Sequence, residues 1–461
     1  ADVQAKLDEA KALKDEFWRS HFVAVLESFL FKLKCDTMLP YAFMSRNSNV
    51  LNSIVKETSE PADERPATIA ARFEKLPALV RALASLATTC PEAGRSQLAT
   101  TMKSFVDDMK AAAEHVNGSS AANSLKAAVS GKLAEALGAV SELATLVKEI
   151  PVSQLEAVSI PFEESVIQGM QAPLDYILEW VDDDVEMRRK MFFDTAREIE
   201  PESLLKGMED LLAHMQRDAR NYVDLPEGET CEVIPTPDAY KMVCPTAMYM
   251  SSGINERDLK GYVCLNTDNL SAFSRGSLEE TVAHEVYPGH HAHFVITATR
   301  KLPHTFSLDL PMGRCIIEGL AHRSEYLMIP HYVDRISRLD SARRGWYCSS
   351  RVKAEVDLYL KRRPTREILD NYVKRLNCTA YSANGQMQAH LAYPADAICY
   401  YTGMRILEDI YRNSGVSQKE FTNESFRYGN VAMGTIRDIL SLPAAKRDAL
   451  GIFQQEPLGG A

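Results

Sequence analysis

The chain has 461 residues, 46% of them apolar and 25% charged, long enough for roughly two or three cooperating cores. That composition excludes a disordered chain, a collagen and a small disulfide scaffold. With 52 basic against 63 acidic residues the net charge is −11, and the basic clusters Arg188-Arg189-Lys190, Arg343-Arg344 and Lys361-Arg362-Arg363 are short and mixed with acids, which argues against nucleic acid or an anionic membrane as partner.

Val3, Leu7, Ala10, Leu13 and Phe17 recur three or four apart, which predicts one amphipathic helix from Val3 to about Lys34. KETSEPADERP (56–66) reads as a loop. Helical periodicity then runs to about Val116, stops at Asn117-Gly118 and restarts after Ser119-Ser120 with Leu133, Leu137, Val140, Ala144 and Val147 on one face. Phe162 to Val223 reads as two or three further long helices. The acidic run VDDDVE (181–186) resembles an aspartate-rich magnesium motif, but it occurs once and without a basic clamp, so it is read as a solvated helix face or cap.

From Asp224 to Gly276 the texture changes to turn residues and β-rich runs, CEVIP (231–235), MVCP (242–245) and GYVCLN (261–266), which predict a small sheet. Helices return from Ser277 to about Leu440, separated by Pro303, Pro311, Pro330, Pro364 and Pro394. The nine cysteines are scattered without a C-x-x-C pair, a usage that favours reduced thiols and a cytoplasmic location, and Cys315 and Cys399 read as buried apolar residues. No apolar run approaches the ~18 residues of a membrane span. The sequence starts at Ala1 without a basic-then-apolar leader, so a signal segment is either absent or already removed.

SLEETVAHEVYPGHHAHF (277–294) carries the chemistry. Ser277 with Glu280 predicts a capping box and a helix start. His284-Glu285 is similar to the start of the H-E-x-x-H zinc helix, in which histidines one turn apart bind the metal and the glutamate activates water. Position 288, where the second histidine belongs, is proline. On an unbroken helix His290 would be rotated from His284 by about 240° and displaced by about 9 Å, and His291 would be about 10.5 Å away. Pro288 removes the N–H that would bond the carbonyl of His284 and Gly289 tolerates unusual backbone angles, so the pair predicts a bulge that returns a following histidine to the metal. IIEGLAHRSEYL (316–327) puts Glu318, His322 and Glu325 on one helix face, and a carboxylate is a suitable third zinc ligand that leaves the fourth position to water. Glu325 is expected to orient a ligand or to form a salt bridge, and His291 and His293 to be structural or pocket-lining.

Three segments together make the chain resemble the bacterial domain-of-unknown-function family 885, helical proteins similar to zinc peptidases of the gluzincin type. HEVYPGHH matches H-E-x-x-P-G-H-H, EGLAHRSE matches E-G-W-A-x-Y-x-E, and YPADAICYYTG (393–403) loosely matches P-G-Q-A-x-x-Y-x-x-G. The resemblance implies metal ligands at His284, His290 and Glu318, a general base at Glu285, and Tyr400 near the substrate. Leu320 stands in place of a tryptophan, Arg323 of a tyrosine, Ala395 of a glycine and Asp396 of a glutamine; these departures are expected at the substrate pocket.

The expected fold is mainly α, a multi-helix metallopeptidase-like architecture with a small β-sheet beside the active-site helix. Residues 1–223 would form a helical N-terminal region and 224–461 the metal-site region, in one continuous catalytic unit. The expected function is zinc-dependent hydrolysis of a peptide or amide, with Tyr400 stabilising the oxyanion. Two alternatives stay open: a non-haem iron enzyme in which Glu318 and His322 join His284, and a helical interaction module that has lost catalysis.

Overall fold

The computed structural model describes residues 2–38, 64–86, 90–149, 151–153, 162–191, 201–236, 241, 244, 246–251, 259–274, 276–300 and 310–450. The predicted 56–66 loop and the MVCP run lie almost wholly outside these residues.

In chain order come α1 (Asp2–Lys11), α2 (Glu16–Met38), α3 (Arg65–Leu86), β1 (Cys90–Pro91), α4 (Glu92–Gly118), α5 (Asn123–Glu149), β2 (Val152–Ser153), α6 (Phe162–Met170), α7 (Leu174–Leu178), α8 (Val181–Met191) and α9 (Pro201–Ala219). The strands β3 (Thr230–Pro235), β4 (Ala247–Ser251) and β5 (Lys260–Leu265) follow. Then come α10 (Ser277–Glu285), α11 (His290–Ala298), α12 (Pro311–Met328), α13 (Arg335–Glu355), a π-helical turn (Val356–Leu360), α14 (Thr365–Arg375), α15 (Ala380–Ala392), α16 (Asp396–Ser414), α17 (Gln418–Arg427), α18 (Met433–Leu440) and α19 (Ala444–Leu450).

The fold is mainly α-helical with a small three-stranded sheet in the order β3-β5-β4, parallel between β3 and β5 and antiparallel between β4 and β5. Several predicted boundaries shift. The first helix is two, because Asp15 turns the chain and accepts a hydrogen bond from the Trp18 N–H at 3.0 Å. Among the described residues the span from Phe162 to Val223 holds four helices of 5 to 19 residues. The antiparallel strand is AMYMS at 247–251, a run of half-buried residues whose burial shows no alternation. The acidic run is not a solvated face throughout: Asp184 is buried and paired with Arg188 at 2.8 Å, and it accepts a hydrogen bond from Tyr401 at 3.0 Å.

One apolar cluster runs through both parts of the chain, from Ile69, Phe73 and Met109 through Val282, Ile316 and Ile398 to Ile436. Burial at this scale supplies the main driving force for folding. Within it α10 packs on α9, α12 and α13, and α12 packs most extensively on α16. Glycines set that last spacing: a Cβ on Gly319 would stand 2.9 Å from the carbonyl carbon of Gly403, and one on Gly403 would stand 2.9 Å from the Cys315 oxygen. The two helices therefore approach backbone to backbone. That approach carries Glu318 of α12 and Tyr400 of α16 toward the C-terminal end of α10.

Candidate metal centre

The start of α10 is capped one turn earlier than its sequence predicts. Gly276 precedes the helix, while Ser277 N–H donates to Ser274 Oγ at 3.1 Å and Ser274 N–H donates to Ser277 Oγ at 2.9 Å. Glu280 takes no part in a capping box. It is buried, and that burial, with Asp340 and Glu325 nearby, pushes its carboxyl well above the usual range.

At the other end the expected bulge is a full break. α10 stops at Glu285, the Tyr287–Pro288 peptide is cis, and α11 starts at His290. The Val282 carbonyl accepts from both Val286 and Tyr287 N–H at 2.9 Å, which closes the first helix. Gly289 is required sterically: a Cβ there would lie 1.7 Å from the His284 carbonyl oxygen. Through this break the His284 and His290 rings come to 4.9 Å between centroids, nearly perpendicular.

Glu318 meets both. Its Oε2 lies 3.5 Å from His284 Nε2 and 3.5 Å from His290 Nε2, and the three residues form a buried group whose ligand atoms all lie within 4.8 Å of one another. Ligand atoms about 2.0–2.1 Å from a tetrahedral zinc are separated by about 3.4 Å, so this donor set fits zinc in both chemistry and spacing. Glu318 Oε2 is buried without a hydrogen-bond partner, as an atom meant for a cation would be. Burial alone would raise the Glu318 pKa, but His290, His284 and Arg314 hold the carboxyl well below its usual range.

His284 is fixed from behind. Its Nδ1–H donates to Glu325 Oε1 at 2.7 Å, and Arg344 grips the same carboxylate at 3.0–3.3 Å. Burial disfavours the His284 cation, yet the Glu318 and Glu325 carboxylates beside the ring outweigh it and raise its pKa to about 9. The pocket thus favours positive charge at Nε2, and a proton and a metal ion would compete for it. A second cluster, His284, His322 and Glu325, shares His284, but its carboxylate is already occupied by Arg344 and His284 Nδ1. His322 sits behind Glu325, 3.0 Å from Oε1, while Glu318 is grouped with His290.

Glu285 ends α10 with 8% exposure, and among the described residues its carboxylate has no hydrogen bond or ion pair. Tyr400 stacks on His284, with ring centroids 5.9 Å apart and planes at 11°. Burial beside Glu318 and Asp396 pushes its phenol well above the usual range, so it remains a donor.

His291 and His293 are held by structure. His291 Nε2 donates to Glu229 at 2.8 Å and its Nδ1 accepts from Tyr249 at 3.1 Å. His293 stacks on Phe426, and burial lowers its pKa to about 3. The family departures scatter. Arg323 is buried over Tyr411 and Phe421 and paired with Glu408, in the core beyond the pocket. Asp396 pairs with Arg314 at 2.9 Å, one turn before Glu318. Ala395 has φ 66°, a left-handed conformation suited to the glycine it replaces.

Sequence reasoning missed the arginines. Arg314 was findable, because it precedes Glu318 by four residues on α12; Arg344 and Arg351 come from α13 with no local signal.

The family model described as "Bacterial protein of unknown function (DUF885)" matches residues 184–440, more than half of the chain. No curated protein matches. Two solved structures share the fold. One, described as a "putative lipoprotein of unknown function" from Shewanella oneidensis, is 13% identical with TM-score 0.72 and covers 95% of this chain and 91% of its own. The other, described as a "putative lipoprotein" from Colwellia psychrerythraea, is 14% identical with TM-score 0.67 and covers 84% and 77%.

Proposed function

The chain belongs to the bacterial DUF885 family, and we propose that it is a zinc-dependent hydrolase of the gluzincin type that cleaves a peptide or related amide bond. The observation that carries this reading is the meeting of His284, His290 and Glu318 around a buried carboxylate oxygen that has no other partner. A zinc ion held there would polarise the scissile carbonyl and acidify a water molecule.

The remaining roles fall to the chain's own groups. Glu285, unpaired at the end of α10, takes a proton from the attacking water and delivers it to the leaving amine. The C–N bond breaks as a C–O bond forms, and the products are an amine and a carboxylate. Tyr400, kept protonated, donates to the oxyanion that develops on the carbonyl oxygen. Glu325 and Arg344 hold the His284 ring so that Nε2 faces Glu318.

No helix among the described residues is long and apolar enough to cross a membrane. The names of the two structural neighbours point, for those proteins, to the cell envelope, whereas the cysteine usage of this chain points to the cytoplasm; fractionation of cells expressing the chain separates the two.

The test is an assay of the zinc-loaded protein on a peptide library beside Glu285→Gln, which deletes the base but preserves shape. Turnover should fall by at least about 10²-fold with metal content unchanged. Absence of peptide hydrolysis by the wild type, or near-wild-type turnover by the variant, would reject the reading.

A further inference from the structure

Arg351, one turn before the end of α13, is 8% exposed. Among the described residues its guanidinium makes no hydrogen bond and has no carboxylate oxygen within 4.0 Å, and its Nε is buried without a partner. Its side chain lies over Tyr400, with Cζ 4.4 Å from the ring centroid, and Tyr347 lies further off at 6.0 Å. Since Tyr400 stacks on His284, the arginine stands one ring away from the candidate metal centre.

An arginine buried without a counter-ion is costly, because the aromatic faces replace only part of its hydration. The other arginines close to the site are paired: Arg314 with Asp396 and Glu318, and Arg344 with Glu325. The acid nearest in sequence does not serve Arg351. Glu355, one turn on, feels the Arg351 charge but is more than 4.0 Å from it; it accepts instead from His390 Nδ1 at 3.1 Å and from the Ala397 N–H at 3.4 Å, and burial beside Asp396 pushes its carboxyl well above the usual range against the pull of Arg351. Among the described residues Arg351 is thus a buried positive charge that no carboxylate engages directly.

We propose that Arg351 binds the free carboxylate of the substrate, so that the protein acts on peptides near their C-terminal end. This rests on the peptidase reading and names its substrate class. One fork of donors matches one carboxylate, whereas a phosphate dianion would call for a second cation that the wall does not offer. Two extended residues span about 7 Å, so a carboxylate held one ring from His284 belongs to the first or second residue beyond the scissile bond. Arg351 is a specificity residue; the reacting atoms are left to Glu285 and Tyr400.

The experiment compares N-acetylated alanine tripeptides ending in a free carboxylate with the same peptides ending in an amide. Wild-type kcat/KM should favour the acid by about 10–100-fold, the range set by charge-assisted hydrogen bonds. Arg351→Met should erase that preference by losing activity on the acid alone, and Arg351→Lys, which keeps the charge and loses the fork, should restore part of it. Calorimetric titration of Glu285→Gln with the same two ligands reads binding without turnover, so it remains decisive if no peptide is cleaved and the peptidase reading itself fails. Equal binding of acid and amide by Glu285→Gln, or an Arg351→Met variant that weakens both ligands alike, would overturn the assignment.

Discussion

His284 Nδ1 lies 2.7 Å from Glu325 Oε1, and that contact decides which nitrogen of the ring is available. With its Nδ1 proton committed to Glu325, the imidazole turns Nε2 toward the space it shares with His290 and Glu318, where a metal ion would have to displace the second proton. Arg344 on the far side of the carboxylate keeps Glu325 ionised and in place.

Glu325→Gln should therefore weaken zinc binding by about 10–100-fold while leaving all three ligands present. Competition against a chelator of known affinity measures this. Unchanged affinity would mean that the pair is only a structural ion pair.

The backbone break makes a second prediction. Gly289→Ala places a methyl where the His284 carbonyl already stands, so α10 and α11 must move apart. The variant should lose stability by at least about 1–3 kcal/mol, read from the urea midpoint, and should bind zinc more weakly than wild type. A variant with wild-type stability and affinity would show that the break does not depend on glycine.

Ala395 predicts the opposite sign. Its left-handed conformation costs a residue with a Cβ about 1–2 kcal/mol, partly offset by the greater chain entropy that glycine loses on folding, about 0.5–1 kcal/mol. Ala395→Gly should raise Tm by the small net difference, and a lower Tm would contradict the strain.

These positions also show what was legible in the sequence. The helix break was readable because Pro288 and Gly289 act on their own backbone, whereas the choice of His290 over His291, and of Glu318 as the third member, came from the family resemblance, since the break and the packing of separate helices decide both. The cap at Ser274 was missed because Ser277 and Glu280 satisfy the same pattern, and only the burial of Glu280 against Asp340 and Glu325 decides between them. Strand 247–251 lacks alternation because its residues are half-buried on both faces. Arg344 and Arg351 reach the site from α13 by packing across helices, which no local pattern encodes.

The most direct measurement is elemental analysis of purified wild type beside His284→Ala, each dialysed after exposure to zinc. Two histidines and one carboxylate predict about one tightly held zinc per chain in the wild type and none held stoichiometrically in the variant. Full occupancy in His284→Ala, or a wild type that retains no zinc, would contradict a metal centre at His284, His290 and Glu318.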